Sequence, residues 1–436
     1  MIINFKVENW LSIKEEIELN LTSGPERKFS QHVPIVKKVN KKILPICCLF
    51  GANASGKTNL FRALDFFKKL VTEPLSPDAS LNRIPFSLDK EYHAKPTRLS
   101  LKFLAGNDNV YTLSVALNSQ EILTEELSIN NSRGERQLYY REGKNIKIAN
   151  SKNMAKLRLA ALMFAAKGTK PNQLFISNVY SQNIDEYNEP YCWFDRSLTL
   201  ITPDTKYNPF YLSNDSLEDI KALLKEFDTG IDDIRGIDFS LENLPLEIKN
   251  DLLRMPADTC YGFPLKNGDF ILMAIENNEP KATKLVTLHK DKNGELRPFN
   301  FSNESDGTQR LIELGPVLST LASSSVPMTN KVYVIDEMDR SLHTMLTAYI
   351  VKKFIKKSSH ETRAQLLFTC HDAMLIDQSL FRKDEIFVSY KNKEKATKLY
   401  ELRNSKKARS DSDLRKLYLE GVFGGVPKIP NVDLEK

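Results

Sequence analysis

The chain has 436 residues, of which 41% are hydrophobic and 27% charged, with a formal net charge of +6. This is an ordinary globular composition with room for about two to four domains or lobes. No apolar stretch approaches the roughly 20 residues that span a bilayer, which excludes a transmembrane helix. The opening Met1-Ile-Ile-Asn-Phe-Lys-Val lacks the layout of a signal peptide and reads as a first strand, so a cytoplasmic protein with no membrane partner is expected. The five cysteines show no metal-ligand spacing and no pairing pattern, which fits a reducing compartment. The charge permits nucleic-acid contact without arguing for it.

In chain order, Ile3–Val7 and Glu18–Leu21 alternate apolar and polar residues, as half-buried strands do. The apolar run Ile43–Phe50 is followed at once by Gly51-Ala-Asn-Ala-Ser-Gly-Lys57-Thr58. A G-x-x-x-x-G-K-[ST] sequence between a buried strand and a helix start is a phosphate-binding P-loop. Gly51 and Gly56 allow the tight turn, and Asn53, Ala54 and Ser55 supply backbone N–H groups for the phosphates. Lys57 is placed for the β- and γ-phosphates, Thr58 for Mg²⁺, and Asn59 continues the helix start. The ligand expected is ATP with Mg²⁺.

Pro74–Asp89 reads as a loop. Leu99–Leu104, Tyr111–Leu117 and Ile122–Ile129 read as an antiparallel meander turning at Gly106-Asn-Asp-Asn109. Residues 150–168 have a helical period. Leu174–Gln182 reads as a strand with a glutamine past its end, and Gln182 is a candidate for Mg²⁺ and water, set against ordinary loop chemistry. Residues 214–255 are expected to form short helices interrupted at Gly230, Gly236 and Pro245, too broken for a long coiled coil. Phe270–Ile275 and Lys284–His289 read as a hairpin.

From residue 300 the pattern changes to helix, strand, helix, strand, the second half of an α/β nucleotide-binding sheet. Ser305-Asp306-Gly307-Thr308 opens an apolar helix, with Ser305 as its N-cap and Gly307 allowing close approach of a ligand. The plain alternative is a helix cap alone. Lys331–Glu337 is an apolar strand ending in two acids. Asp336 is placed for Mg²⁺ through water and Glu337 for orienting the attacking water. Gln365–His371 is a strand ending in a histidine, where His371 could donate a hydrogen bond to the γ-phosphate or water. Residues 382–416 are rich in Lys and Arg with acids interspersed. That is either a solvated surface or a DNA-backbone contact.

The order P-loop, Gln, Ser-x-Gly helix, Asp-Glu strand, Asp339 and His strand resembles the ABC-type ATPase head of structural-maintenance and Rad50-like proteins. The resemblance implies that Ser305–Thr308 is a degenerate signature motif, that Asp339 is the acid of the D-loop, and that His371 is the switch histidine. The signature of that family has two glycines and a Gln or Glu, where this chain has Asp306 and Thr308. The chain also resembles the stand-alone ATPases of phage-defence loci, the RloA-like and AbiL-like proteins and the ATPase of the PARIS system. That likeness rests on Asn9-Trp-Leu-Ser12, Ser305–Thr308, Asp336–His343 and the tail Tyr418-Leu-Glu-Gly421-Val-Phe-Gly424-Gly-Val-Pro427.

The expected fold is therefore α/β: an ABC-type P-loop ATPase head with an N-terminal antiparallel β lobe, a short helical insertion and no long coiled coil. Residues 1–200 would carry the P-loop half and β lobe, 201–298 a helical and hairpin insertion, and 299–436 the signature, the Asp-Glu strand and the histidine switch. The resemblance implies an ATP-hydrolysing homo-oligomer, a dimer or larger, with ATP sandwiched between subunits. It also implies a phage protein as trigger and a separate effector, a toprim-like nuclease or a toxin. A RecF-like repair ATPase and a non-hydrolysing scaffold are the alternatives.

Overall fold

The computed structural model describes all residues except 74, 77, 132–133, 150–154, 204–209, 213–220, 223, 228, 245, 247–259, 266–268, 277–278, 323–329, 408–412 and 428–436. The chain divides into two compact units. One comprises Met1–Leu200, Met328–Asp336 and Ser358–Lys436, and the other Ile201–Pro327 and Glu337–Lys357. The stretch expected as one C-terminal part, 299–436, is thus shared between both units.

Among the described residues the first unit contains two large sheets and a small pair, Ile35–Val36 with Lys41–Lys42. A seven-stranded antiparallel sheet runs Asn145–Ile148, Gly134–Glu142, Ile122–Asn131, Val110–Leu117, Thr97–Leu104, Ile2–Glu8, Ile17–Asn20. Period-two alternation puts Leu99, Leu101 and Phe103 on one face, and all three are buried. Helix Lys57–Thr72 buries Leu60, Phe61, Leu64 and Phe67 in the same apolar cluster. Each such side chain stabilises the fold by about 1.5–3 kcal/mol.

The other sheet has the order Leu198–Ile201, Val332–Ile335, Gln365–Thr369, Ile46–Phe50, Ile386–Lys391, Thr397–Glu401. Its four middle strands run parallel, and the last pairs antiparallel with its neighbour. Ile46–Phe50 is buried at every residue, as a central parallel strand must be. Buried Gln365 links this sheet to the first strand: its Oε1 accepts from the Ile2 N–H (2.7 Å), and its amide donates to the Ile2 and Leu44 carbonyls (3.0 and 2.8 Å).

Leu174–Gln182, expected as a strand, holds helix Phe175–Ser181 instead. The reason is Glu125 on a neighbouring strand. Its carboxylate accepts from the Phe175 and Ile176 N–H groups (2.7 and 3.2 Å), satisfying two of the helix's otherwise unpaired donors. Burial pushes the Glu125 carboxyl up, while Arg141 opposes that shift.

The second unit is built on an antiparallel sheet: Phe210–Leu212, Cys260–Pro264, Phe270–Glu276, Glu279–Lys290, Asp233–Phe239, with Leu296–Asn300 also paired to Glu279–Lys290. The expected hairpin is present as the pair Phe270–Glu276 and Glu279–Lys290. Of the short helices expected over 214–255, residues 221–222 and 224–226 are helical, while Asp233–Phe239 is a strand; residues 214–220, 223, 228, 245 and 247–255 lie outside the described residues. Gly236 is no helix breaker. It sits opposite Leu285, and a Cβ there would lie 2.4 Å from Thr283 Cγ2. Among its described residues this unit also carries helices Asp306–Glu313, Gly315–Ala322 and Thr344–Lys357.

Candidate functional site

Parallel pairing fixes which loops share an edge in the first unit. Thr369 lies opposite Leu49, Ile335 opposite Phe368, and Val388 opposite Phe50. The carboxyl ends of these strands therefore deliver Gly51, Asp336, Cys370-His371 and Ser389 side by side. Ligands of parallel α/β sheets bind at that edge.

The P-loop turns through Gly51 (φ 150°), Ala54 (φ 61°) and Gly56 (φ 105°) into helix Lys57–Thr72. Gly56 is required by contact as well as by φ: a Cβ there would lie 2.0 Å from Thr397 Oγ1. Lys57 is only 4% exposed. Its ammonium donates to the carbonyls of Gly51 (2.7 Å) and Ala52 (3.2 Å) and lies 3.4 Å from His371 Nδ1. Asn53 and Ala54 are exposed, Ser55 is buried and Thr58 is half-buried.

The loop is braced from outside. Ser389 Oγ and Thr397 Oγ1 both donate to the Ser55 carbonyl at 3.0 Å. Since Thr397 spends its proton there, its oxygen accepts from Lys391 Nζ (3.0 Å) and from Ser12 (2.7 Å). Ser12 in turn accepts from Asn59 Nδ2 (2.7 Å), and Trp10 Nε1 donates to the Asn59 carbonyl (3.1 Å). Asn59, expected at the nucleotide, thus has its side chain committed to bracing. Burial pushes Lys391 below its ordinary pKa.

Asp336 is 1% exposed and accepts from Thr369 Oγ1 (2.7 Å). Gln182 is not placed as expected. It is exposed at the C-terminal end of helix Phe175–Ser181, and its amide donates to Asn178 Oδ1 (3.1 Å). A Cβ on Gly168, at the end of helix Lys156–Gly168, would lie 3.9 Å from Gln182 Nε2.

In the second unit, Ser305 caps helix Asp306–Glu313, its Oγ accepting from the Thr308 N–H (3.2 Å). Ser305 and Asp306 are exposed and Thr308 is buried. Gly307 packs tightly: a Cβ would meet the Ser341 carbonyl at 2.8 Å. Glu337 (φ 51°) and Ser341 (φ 59°) stand in the left-handed region, backbone strain of a kind that collects at functional sites. The turn between them is closed by Arg340 N–H to the Glu337 carbonyl and Leu342 N–H to the Asp339 carbonyl.

Three side chains that sequence reasoning missed fasten this turn to the capped helix. Arg310, 1% exposed, donates to the Glu337 carbonyl (2.8 Å) and to Glu313 Oε2 (2.7 Å). Arg340 donates to the same Glu313 oxygen at 2.6 Å. Burial lowers the Arg310 pKa, opposed by Glu313. An arginine three residues after Gly307, next to the apolar Leu311-Ile312 of the helix, was a readable signal. Thr397 and Ser389 carried none, being ordinary strand residues.

Lys57, the loop N–H groups, Thr58 and Asp336 suit a nucleotide phosphate with a hard divalent cation: a cation in a glycine turn beside oxygen donors. No helix among the described residues is long and apolar enough to cross a membrane. No curated protein matches this sequence. Among solved structures, the SmcHead bound to the C-winged helix domain of ScpA is 11% identical with a TM-score of 0.40, covering 92% of this chain and 96% of that one. The SMC head domain from Thermotoga maritima is 11% identical with a TM-score of 0.33, covering 92% and 98%. The recombination mediator protein RecF with ATP is 10% identical with a TM-score of 0.37, covering 92% and 97%. Residues 46–377 match the AAA_21 family, described as "AAA domain, putative AbiEii toxin, Type IV TA system". That match spans most of the chain, from the P-loop strand past His371, and the chain belongs to the AAA_21 family.

Proposed function

We propose that this chain is an ABC-type ATPase that binds ATP with Mg²⁺ at residues 51–59, hydrolyses it, and uses the nucleotide to set its own assembly. The observation that carries the reading is the shared sheet edge in one unit, where buried Lys57 lies 3.4 Å from exposed His371 and buried Asp336 ends a neighbouring strand. Lys57 is held on two loop carbonyls and exchanges them for phosphate oxygens when a nucleotide enters. Thr58 and Asp336 would hold Mg²⁺, which neutralises developing phosphate charge when bound. Glu337 orients and polarises the attacking water. His371 contacts the γ-phosphate or that water through a hydrogen bond.

Ser305–Thr308 and Asp339 of one copy complete the site of another, so the closed oligomer exists only with nucleotide. In this reading the oligomer acts in the cytoplasm and controls a separate effector, a nuclease or a toxin, during phage infection. The AAA_21 membership supports the ATPase part of this reading, and its description names a type IV toxin–antitoxin system.

The test compares Glu337→Gln and Lys57→Ala with the wild type by ATP turnover, nucleotide binding and light scattering. Glu337→Gln keeps nucleotide binding, loses turnover by about 100-fold or more and accumulates the larger assembly. Lys57→Ala binds no nucleotide. Wild-type turnover in Glu337→Gln would remove that residue from the chemistry. Wild-type turnover no higher than that of Lys57→Ala would leave an ATP-bound scaffold.

A further inference from the structure

The tail motif Tyr418–Pro427 plays no part in the chemistry above, yet it is built against the P-loop. Helix Leu414–Leu419 is capped by Asp413, whose Oδ1 accepts from the Lys416 N–H (3.0 Å). Beyond it the chain turns at Gly421, Gly424 and Gly425, with φ of 75°, 73° and 72°. Gly425 is required by contact: a Cβ there would lie 2.4 Å from Val388 Cγ1, 3.1 Å from the Ser389 carbonyl and 3.3 Å from the Gly51 Cα. On the other side of the layer, a Cβ on Gly51 would lie 2.4 Å from the same Ser389 carbonyl. The first glycine of the P-loop, Ser389 and Gly425 are thus stacked in a space that admits no side chain.

Tyr418 holds this stack in place. Its hydroxyl donates to the Gly425 carbonyl (3.1 Å) and also interacts with the Gly51 backbone. Its ring lies against Phe50, the last residue of the P-loop strand, at 6.1 Å between centroids. Burial pushes the Tyr418 phenol up to about 12, so it remains a donor at neutral pH. Beside the stack opens a cleft of about 470 Å³, with Ala52, Asn53 and Ser55 on one wall, the tail turn on the other, and Lys391 between.

We infer that Tyr418–Pro427 is a wall of the nucleotide site, coupled to occupancy of the P-loop. A nucleoside triphosphate seated in the loop tightens this segment, and loosening the segment weakens nucleotide binding. The inference rests on the proposal that the P-loop binds ATP. The two effects are one coupling free energy and must be equal in both directions.

Hydrogen exchange of the wild-type chain with and without the non-hydrolysable analogue AMP-PNP tests it. The expected result is slower exchange at 418–427 as well as at 51–59. Tyr418→Phe removes only the hydroxyl and should weaken AMP-PNP binding by about 3- to 10-fold with an unchanged thermal midpoint. Gly425→Ala should weaken it by about 10-fold or more. If AMP-PNP binds the wild type but protects only 51–59, and both variants bind as the wild type does, this inference alone falls. If the wild type binds no AMP-PNP, the ATP reading falls with it.

Discussion

The P-loop and the Ser305–Thr308 turn use similar materials and are held in opposite ways. Each is a glycine-containing turn that starts a helix and carries small hydroxyl residues. The P-loop is surrounded by its own unit: Ser55 and Lys57 are 4% exposed, and Ser389, Thr397, Ser12 and Gly425 press on it. The other turn shows Ser305 and Asp306 to the outside and is secured from behind by Arg310, Glu313 and Arg340. The P-loop is preorganised within its own unit, whereas the Ser305–Thr308 turn exposes Ser305 and Asp306.

Three substitutions sharpen that contrast, and the largest effect belongs to the outward half. Arg310→Ala removes the bond to the Glu337 carbonyl and leaves Glu313 with Arg340 alone. Because it acts on the positions of Glu337 and of the capped helix, turnover should fall about 10- to 100-fold while nucleotide affinity stays near wild type. An equal loss of affinity would show that the two halves are not separately held.

Thr397→Val addresses the inward half. It keeps the side-chain shape but breaks the bond to the Ser55 carbonyl and the links to Ser12 and Lys391. One lost hydrogen bond near a loop costs about 1 kcal/mol, which is about 5-fold in nucleotide affinity. Titration with a fluorescent ATP analogue reads it, and unchanged affinity would mean that the brace does not shape the loop.

The smallest effect concerns stability of the strand that carries Ser389. Glu385, just before strand Ile386–Lys391, is 4% exposed and accepts from the Arg382 N–H (2.9 Å); burial pushes its carboxyl up to about 8. Its folded pKa lies above its unfolded value, so the folded chain holds the extra proton. The stability contributed is full below about pH 4.5 and is lost as pH rises through about 8. Glu385→Gln should therefore raise the thermal midpoint by about 2–4 °C at pH 9 and leave it nearly unchanged at pH 5. A pH-independent difference would contradict the buried, protonated state.

The parts legible in the sequence were those encoded by local spacing. The P-loop, the strand ending in Asp336-Glu337, the Ser305 cap and the meander of the seven-stranded sheet all stand where their patterns put them. Leu174–Gln182 misled because its short apolar run Leu174–Ile176 suits a strand, while a carboxylate about 50 residues earlier caps it as a helix. Within 214–255, Gly236 misled because it was read as a breaker when it is a point of close cross-strand approach to Thr283. Both errors come from partners distant in sequence, which no local window contains.

By itself, the sequence determined the local pattern, a glycine turn with Lys57 and Thr58 between a buried strand and a helix, which is the pattern of a phosphate-binding loop. Only the tertiary structure decided what supports that loop. Parallel pairing of Ile46–Phe50 with Gln365–Thr369, and of the latter with Val332–Ile335, sets Asp336 and His371 beside the loop. The final hairpin brings Ser389 and Thr397 onto the Ser55 carbonyl. The tail then places Gly425 against Gly51 across more than 370 residues of chain. These contacts depend on register and on the absence of a Cβ, quantities that exist only once the sheet has formed.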